Sequence, residues 1–225
     1  MHQLEQQLFY LFSFLPVSPG VILPWVVTLI LVGISFLGTR HLRIVPGPLQ
    51  SLLEILVEGL ESFIGGIVGK KNVKEMVPFF STIFLYILIA DLLGIIPGLK
   101  SPTGIFSNCL GMALIIFFMT HFTGFKHHGF GYIKHFIGEP VWLGPLMFPI
   151  HVIGELARPL SLTLRLFGNI MGEDVVCIVL TVAIFPLLIP IPILCLMIFT
   201  DFIQALVFTI LASIYVSGAV GDEEH

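Results

Sequence analysis

Arg165 stands in the run Leu160-Ser-Leu-Thr-Leu-Arg-Leu-Phe-Gly-Asn-Ile-Met-Gly-Glu-Asp-Val-Val-Cys-Ile-Val-Leu, which is otherwise apolar enough to lie in a bilayer. A guanidinium cannot discharge by losing its proton at any relevant pH. Its cost at the bilayer centre runs from about 2.5 kcal/mol on insertion scales to more than 10 in simulations. A chain keeps such a charge where it meets water, a counter-charge or a pathway for ions. The structural alternative is an arginine that snorkels to the headgroups from a helix end.

The neighbours favour the pathway. Projected as a helix at about 100° per residue, Arg158, Ser161, Gly168, Asn169 and Gly172 fall within about 60° of Arg165. Two glycines on that side leave a shallow surface that another helix can approach closely. Glu155 and Glu173 lie at the edge of this face, while Asp174, Thr163 and Thr181 lie opposite it. A later apolar run carries Thr200, Asp201 and Gln204, with Thr209 two turns on. Two polar stripes flanking a fixed charge suit two separate aqueous paths. The other reading is that these groups satisfy one another inside a helical hairpin. His151 and Glu155, at i and i+4, point towards Arg158 and are candidates for an inner access path or for an ordinary helix-face pair.

These groups need elements to hold them. The 225 residues are 56% hydrophobic and 11% charged, with a mean hydropathy of +1.05. That composition predicts an integral membrane protein. The apolar runs are continuous rather than alternating, so the expectation is an all-α fold of about five transmembrane helices plus amphipathic interfacial helices. A net charge of −4, due largely to Asp222, Glu223 and Glu224, argues against nucleic acid as a partner. Cys109, Cys177 and Cys195 sit in apolar runs and read as small hydrophobes. No basic n-region marks a cleavable signal.

The chain divides as a single membrane domain over 1–225. A first span is expected at 21–38, with Trp25 at its interface. An amphipathic interfacial helix follows at 48–69, repeating Glu54, Glu58 and Glu61 against Leu52, Leu53, Leu56, Leu60 and Ile64. Further spans are expected at 78–96, carrying Asp91, and at 105–123, with an amphipathic surface segment at 126–145. Two long tilted helices close the chain as a hairpin, 148–185 bearing Arg165 and a bend at Pro159, then 191–218. The first of these would be roughly 55 Å long against a hydrocarbon core of about 30 Å. Basic residues gather in the loop after the first span (Arg40, Arg43, Lys70, Lys71, Lys74) and after the third (Lys126, Lys134). The N-terminus is therefore expected outside and the C-terminus in the cytoplasm.

Other chemistry is weakly represented. His121, His127, His128 and His135 lack the spacing or cysteine partners of a metal site, so no metal is expected. No Gly-Lys-Ser/Thr phosphate loop occurs, so the chain is not expected to bind nucleotide, nor any other cofactor. A secondary transporter would require an internal repeat, and the hairpin has no earlier counterpart. A membrane-embedded enzyme would need Asp91, Glu155 or Asp174 to meet a nucleophile or metal at one depth, and these lie at different depths or on different faces.

The string Leu164-Arg-Leu-Phe-Gly-Asn169, followed by Gly172-Glu-Asp174, closely resembles the hallmark of subunit a of F-type ATP synthases. Pro159-Leu-Ser-Leu-Thr-Leu before it and Gln204-Ala-Leu-Val-Phe-Thr-Ile-Leu-Ala-Ser-Ile-Tyr215 after it fit the same pattern, as does the exit Asp91-Leu-Leu-Gly-Ile-Ile-Pro97. The resemblance covers most of the chain. It implies a non-catalytic stator protein against a rotating ring of c subunits, held by peripheral-stalk b subunits in a bacterial inner or plasma membrane. Two half-channels would load and unload rotor carboxylates with protons or sodium ions. Arg165 matches the family's essential arginine, while Asn169 and Gln204 match polar positions along the ion path. Asp174 stands where glutamate is common, with Glu173 beside it. Some members carry a histidine seven residues before the glutamine; here that position is Met197, with Asp201 a possible substitute.

Overall fold

The computed structural model describes residues 19–40, 47–68, 73–96, 99–129, 144–183 and 190–220. These residues form six α-helices, one short 3-10 turn and no strand. The helices are α1 (Pro19–Thr39), α2 (Pro48–Val68), α3 (Val73–Gly94), α4 (Phe106–His128), α5 (Gly144–Ala183) and α6 (Pro190–Val220). The 3-10 turn, Pro102–Gly104, links α3 to α4. The protein is an all-α, multi-pass membrane protein: α1, α3, α4 and α6 are long and apolar enough to cross a bilayer. α5 is 40 residues long and carries its charges at intervals, so it is set apart from those four.

Thr28, Thr82 and Thr163 each donate a hydroxyl to the carbonyl four residues earlier, that of Pro24, Pro78 and Pro159, at 2.9, 2.7 and 2.7 Å. Bonds of this kind occupy the hydroxyl within its own helix and leave no bare polar group towards lipid. α5 runs through Pro159 as one helix.

The core lies where α3, α4, α5 and α6 meet. Phe80, Phe84 and Ile87 of α3 pack with Ala113 and Ile116 of α4, Leu162 and Leu166 of α5, and Ala205, Phe208 and Ala212 of α6. Alanines at those positions let the backbones approach. α2 joins through Leu60 and Ile64 and leaves Glu54, Glu58 and Glu61 exposed. Ser217 ties the end of α6 to α2 by donating to the Ile67 carbonyl at 3.1 Å. α1 stands at the edge, burying Val27 and exposing Trp25, Leu29 and Phe36.

One feature differs from the sequence reading. α4 continues to His128, so Lys126, His127 and His128 sit on its last turn instead of opening a separate surface segment. Cations are favoured there by the unsatisfied helix carbonyls. Residues 130–143, most of that expected segment, lie outside the described residues, as do Arg43, Lys70, Lys71, Lys134, His135 and the acidic tail. α5 packs chiefly on α4, and α6 on α3 and α4.

Candidate functional site

Packing divides α5 into two sides. Leu162, Thr163, Leu166 and Ile170 face the core and are buried, which turns Ser161, Arg165, Gly168 and Gly172 outward. Arg165 lies near the middle of the helix, is exposed, and makes no ion pair among the described residues. A Cβ added at Gly168 or Gly172 would meet nothing within 4 Å. The shared face expected from the sequence therefore exists for these residues, with a free cation at its centre.

Arg158 leaves that face. Its guanidinium pairs with Glu155 at 2.8 Å and lies 5.3 Å from the centre of the Tyr215 ring on α6. One carboxylate and one aromatic ring hold it against its own chain. The two arginines, about 20° apart on a helical wheel, thus have different environments. Glu155, Arg158, Thr120 and Tyr215 border a small recess between α4, α5 and α6. His151 lies one turn earlier and is half-buried.

A cavity of about 290 Å³ opens where α5 and α6 diverge, lined by Gly168, Asn169, Gly172, Glu173, Leu196, Met197 and Thr200 among others. Asn169 donates from Nδ2 to Glu173 Oε1 at 2.9 Å. The charge of the Asp201 carboxyl, on α6, acts on Glu173. Asp201 is 1% exposed and Gln204 is 7% exposed, and neither Asp201 Oδ1 nor Gln204 Nε2 has a partner among the described residues. Buried polar atoms are costly to leave unpaired. Met197 adds no titratable group to this cavity, while Asp201 lies one turn along the same helix.

Asp174 turns elsewhere. It is exposed and feels the charge of Lys100, in the connection between α3 and α4. Thr163 was expected to share a polar stripe with it, but Thr163 is fully buried with its hydroxyl bonded to the Pro159 carbonyl. That hydroxyl is occupied by its own helix and lines no aqueous path. Thr200 and Thr209 likewise donate to carbonyls one turn back, those of Leu196 and Ala205. The side chain of Thr181 lies outside the described residues.

Asp91 was not among the site residues expected from the sequence. It is 2% exposed near the end of α3, hydrogen-bonded to the Thr103 hydroxyl, and its Oδ2 has no partner among the described residues. The charges of Asp201 and Glu173 both act on it. A carboxylate inside an apolar span was the available signal; its proximity to α5 and α6 was not readable from spacing. No cluster of three or more His, Cys, Asp or Glu suited to a metal occurs among the described residues.

Comparison with known proteins gives one answer. Residues 21–217 match the family model of the ATP synthase A chain. The chain is 42% identical over 203 residues to ATP synthase subunit a of Desulfosudis oleivorans, covering 90% of this chain and 88% of that protein. It is 41% identical over 206 residues to the subunit a of Trichlorobacter lovleyi, covering 92% and 88%. Against the ATP synthase subunit a 1 of Syntrophotalea carbinolica it is 44% identical over 201 residues, covering 89% and 85%. These matches run over most of the chain, and the chain belongs to the ATP synthase subunit a family of the membrane sector.

Proposed function

We propose that this chain is the ion-translocating stator of an F-type ATP synthase, forming two half-channels that couple proton or sodium flow to rotation of a c-subunit ring. The observation that carries this reading is Arg165, a permanent charge exposed at mid-helix with open glycines on its face and no ion pair among the described residues. A charge so placed in a membrane calls for a partner from another chain. A rotor carboxylate arriving at this face would be stabilised in its ionised form by Arg165, which favours ion release. The same fixed cation would repel a free cation and so oppose leakage between the two paths.

On this reading the cavity lined by Asn169 and Glu173 belongs to one half-channel, together with the buried Asp201 and Gln204 of α6, and Asp174 is assigned to the same path. The recess bearing Glu155 and Arg158, with His151 near it, belongs to the other. Gly168 and Gly172 admit the ring. Five crossings, with the N-terminus outside and the C-terminus in the cytoplasm, follow if α5 also crosses at a steep tilt. The chain performs no bond-making chemistry itself and takes no cofactor. Peripheral-stalk b subunits would hold it against the torque of the ring. Each elementary charge moved through 100 mV supplies about 2.3 kcal/mol to that rotation.

ATP-driven and passive ion flux in vesicles holding the complete complex, wild type against Arg165→Ala, tests the proposal. Loss of coupled pumping in an assembled complex is the expected result. Pumping at near wild-type rate would reduce Arg165 to an anchor and end this account of the mechanism.

A further inference from the structure

Arg158 and Arg165 stand seven residues apart on α5, about 20° apart around the helix and about 10 Å apart along it. By spacing alone, both would point at whatever approaches the face of Gly168 and Gly172. The fold treats them differently. Arg158 is held from two sides: Glu155, one turn earlier, pairs with it at 2.8 Å, and the Tyr215 ring on α6 lies 5.3 Å from its guanidinium carbon. The Glu155 side chain is 13% exposed, so water competes little for its end of the pair. Tyr215 is not free to follow the arginine, because its helix is fixed by Ala212, Ser213 and Val216, all fully buried. The position of the ring is therefore set by the core, and it draws Arg158 off the stripe that Arg165 occupies.

A free charge and a paired charge differ in reach. The field of a cation beside its counter-ion falls off faster than that of a cation alone, and salt screens partly buried charges little. Arg165, with no ion pair among the described residues, presents a whole charge outward. Arg158 with Glu155 presents no net charge. Were Arg158 unpaired as well, an arriving carboxylate would meet two cations in succession. Its ionised form would then be favoured along about two turns of α5 instead of at one level. The second cation would also stand beside the recess assigned above to the other half-channel, where it would repel the ion that must reach or leave that carboxylate. An arginine cannot be silenced by losing its proton, so a counter-ion is the available means. Glu155 is the acid that borders this recess among the described residues.

We propose that Glu155 and Tyr215 are positioning residues that withhold Arg158 from the face of Gly168 and Gly172, so that the ring meets the charge of Arg165 there without a competitor. The proposal rests on the ion-path reading above and gives Glu155 a task other than carrying ions. It makes an unequal demand on the two members of the pair. Removing the acid alone leaves a stray cation beside the ring, whereas removing acid and base together leaves none.

ATP-driven pumping by the complete complex in vesicles tests this, with recovery of the assembled complex measured for each variant. Glu155→Gln is expected to lower coupled pumping by roughly 5- to 10-fold. Adding Arg158→Gln to it is expected to raise pumping again by at least about 3-fold, because the stray charge is gone. A pair needed only for folding, or a Glu155 that itself carries ions, gives a double variant no better than Glu155→Gln. That outcome overturns the proposal, as does a Glu155→Gln complex that pumps at the wild-type rate. If Glu155→Gln does not assemble, Tyr215→Leu carries the test, since it loosens Arg158 without changing any charge. Its pumping should fall and recover on adding Arg158→Gln, while Tyr215→Phe, which keeps the ring, holds Arg158 as before. A Tyr215→Leu complex at the wild-type rate, or one that Arg158→Gln does not relieve, counts against the proposal equally. Arg165→Ala run alongside separates the two claims. If it still pumps, the ion-path reading falls; if it is inactive while Arg158→Gln relieves neither variant, only the withholding of Arg158 falls.

Discussion

Asn169 on α5 donates to Glu173, one turn along the same helix, at 2.9 Å, and the charge of Asp201 on α6 acts on that glutamate. Two ionised carboxylates side by side repel, so the pair is suited to holding one proton between them. Met197 adds no titratable group here, and the second acid, Asp201, stands one helical turn further along α6.

If the two acids share that duty, either can partly cover for the other. Glu173→Gln and Asp201→Asn are each expected to lower coupled ion flux by about 3- to 10-fold, and the double variant by more than about 100-fold. Flux in reconstituted vesicles reads this directly. A double variant no worse than either single variant would mean that the acids do not work as a pair.

Arg165→Lys distinguishes a permanent charge from a charge of the right sign. Lysine is a point charge that can lose its proton in a low-dielectric site, whereas arginine stays charged. Pumping is expected to fall by at least about 10-fold, and to fall further as the pH is raised. The pH profile of the lysine variant is the measurement. A profile parallel to wild type, at comparable rate, would show that positive charge alone is sufficient.

Much of this was legible in the sequence, and the reason is physical. Continuous apolar runs can only be helices in lipid, and a 100° projection places residues on faces without any knowledge of tertiary contacts. That is why Arg165, Gly168 and Gly172 were recognised as one face. The same projection put Arg158 there too, because it carries no information about Tyr215, 57 positions later in the chain. Thr163 was grouped with Asp174 by angle alone, although its hydroxyl is bonded to the carbonyl four residues back. Asp91 needed the packing of α3 against α6 before its neighbours could be known. Angles are local, whereas partners across helices are set by the whole fold.

Gly168 and Gly172 offer a test that separates folding from docking. Both are exposed, and an added Cβ meets nothing at either position. Gly168→Phe and Gly172→Phe are expected to leave the chain itself inserted and folded. They should prevent close approach of a neighbouring helix, since small residues are what permit such contact. Co-purification of the ring with each variant, beside protease resistance of the variant chain, reads the two effects apart. Normal recovery of the ring with both variants would place its contact on another surface.

Tyr215 restrains Arg158 by its ring, whose centre lies 5.3 Å from the guanidinium carbon, while Glu155 supplies the counter-charge at 2.8 Å. The ring face is the same in phenylalanine, so Tyr215→Phe is expected to keep the thermal stability of the solubilised complex within about 0.5 kcal/mol. Tyr215→Leu removes the ring and leaves Arg158 with Glu155 alone, at an expected cost of about 1 to 2 kcal/mol. If the cation–ring contact is what is lost, Arg158→Met should make the leucine and phenylalanine variants more alike, because no charge remains for the ring to hold. An unchanged gap between the two in the methionine background would assign the role of Tyr215 to packing against α4 and α5 rather than to Arg158.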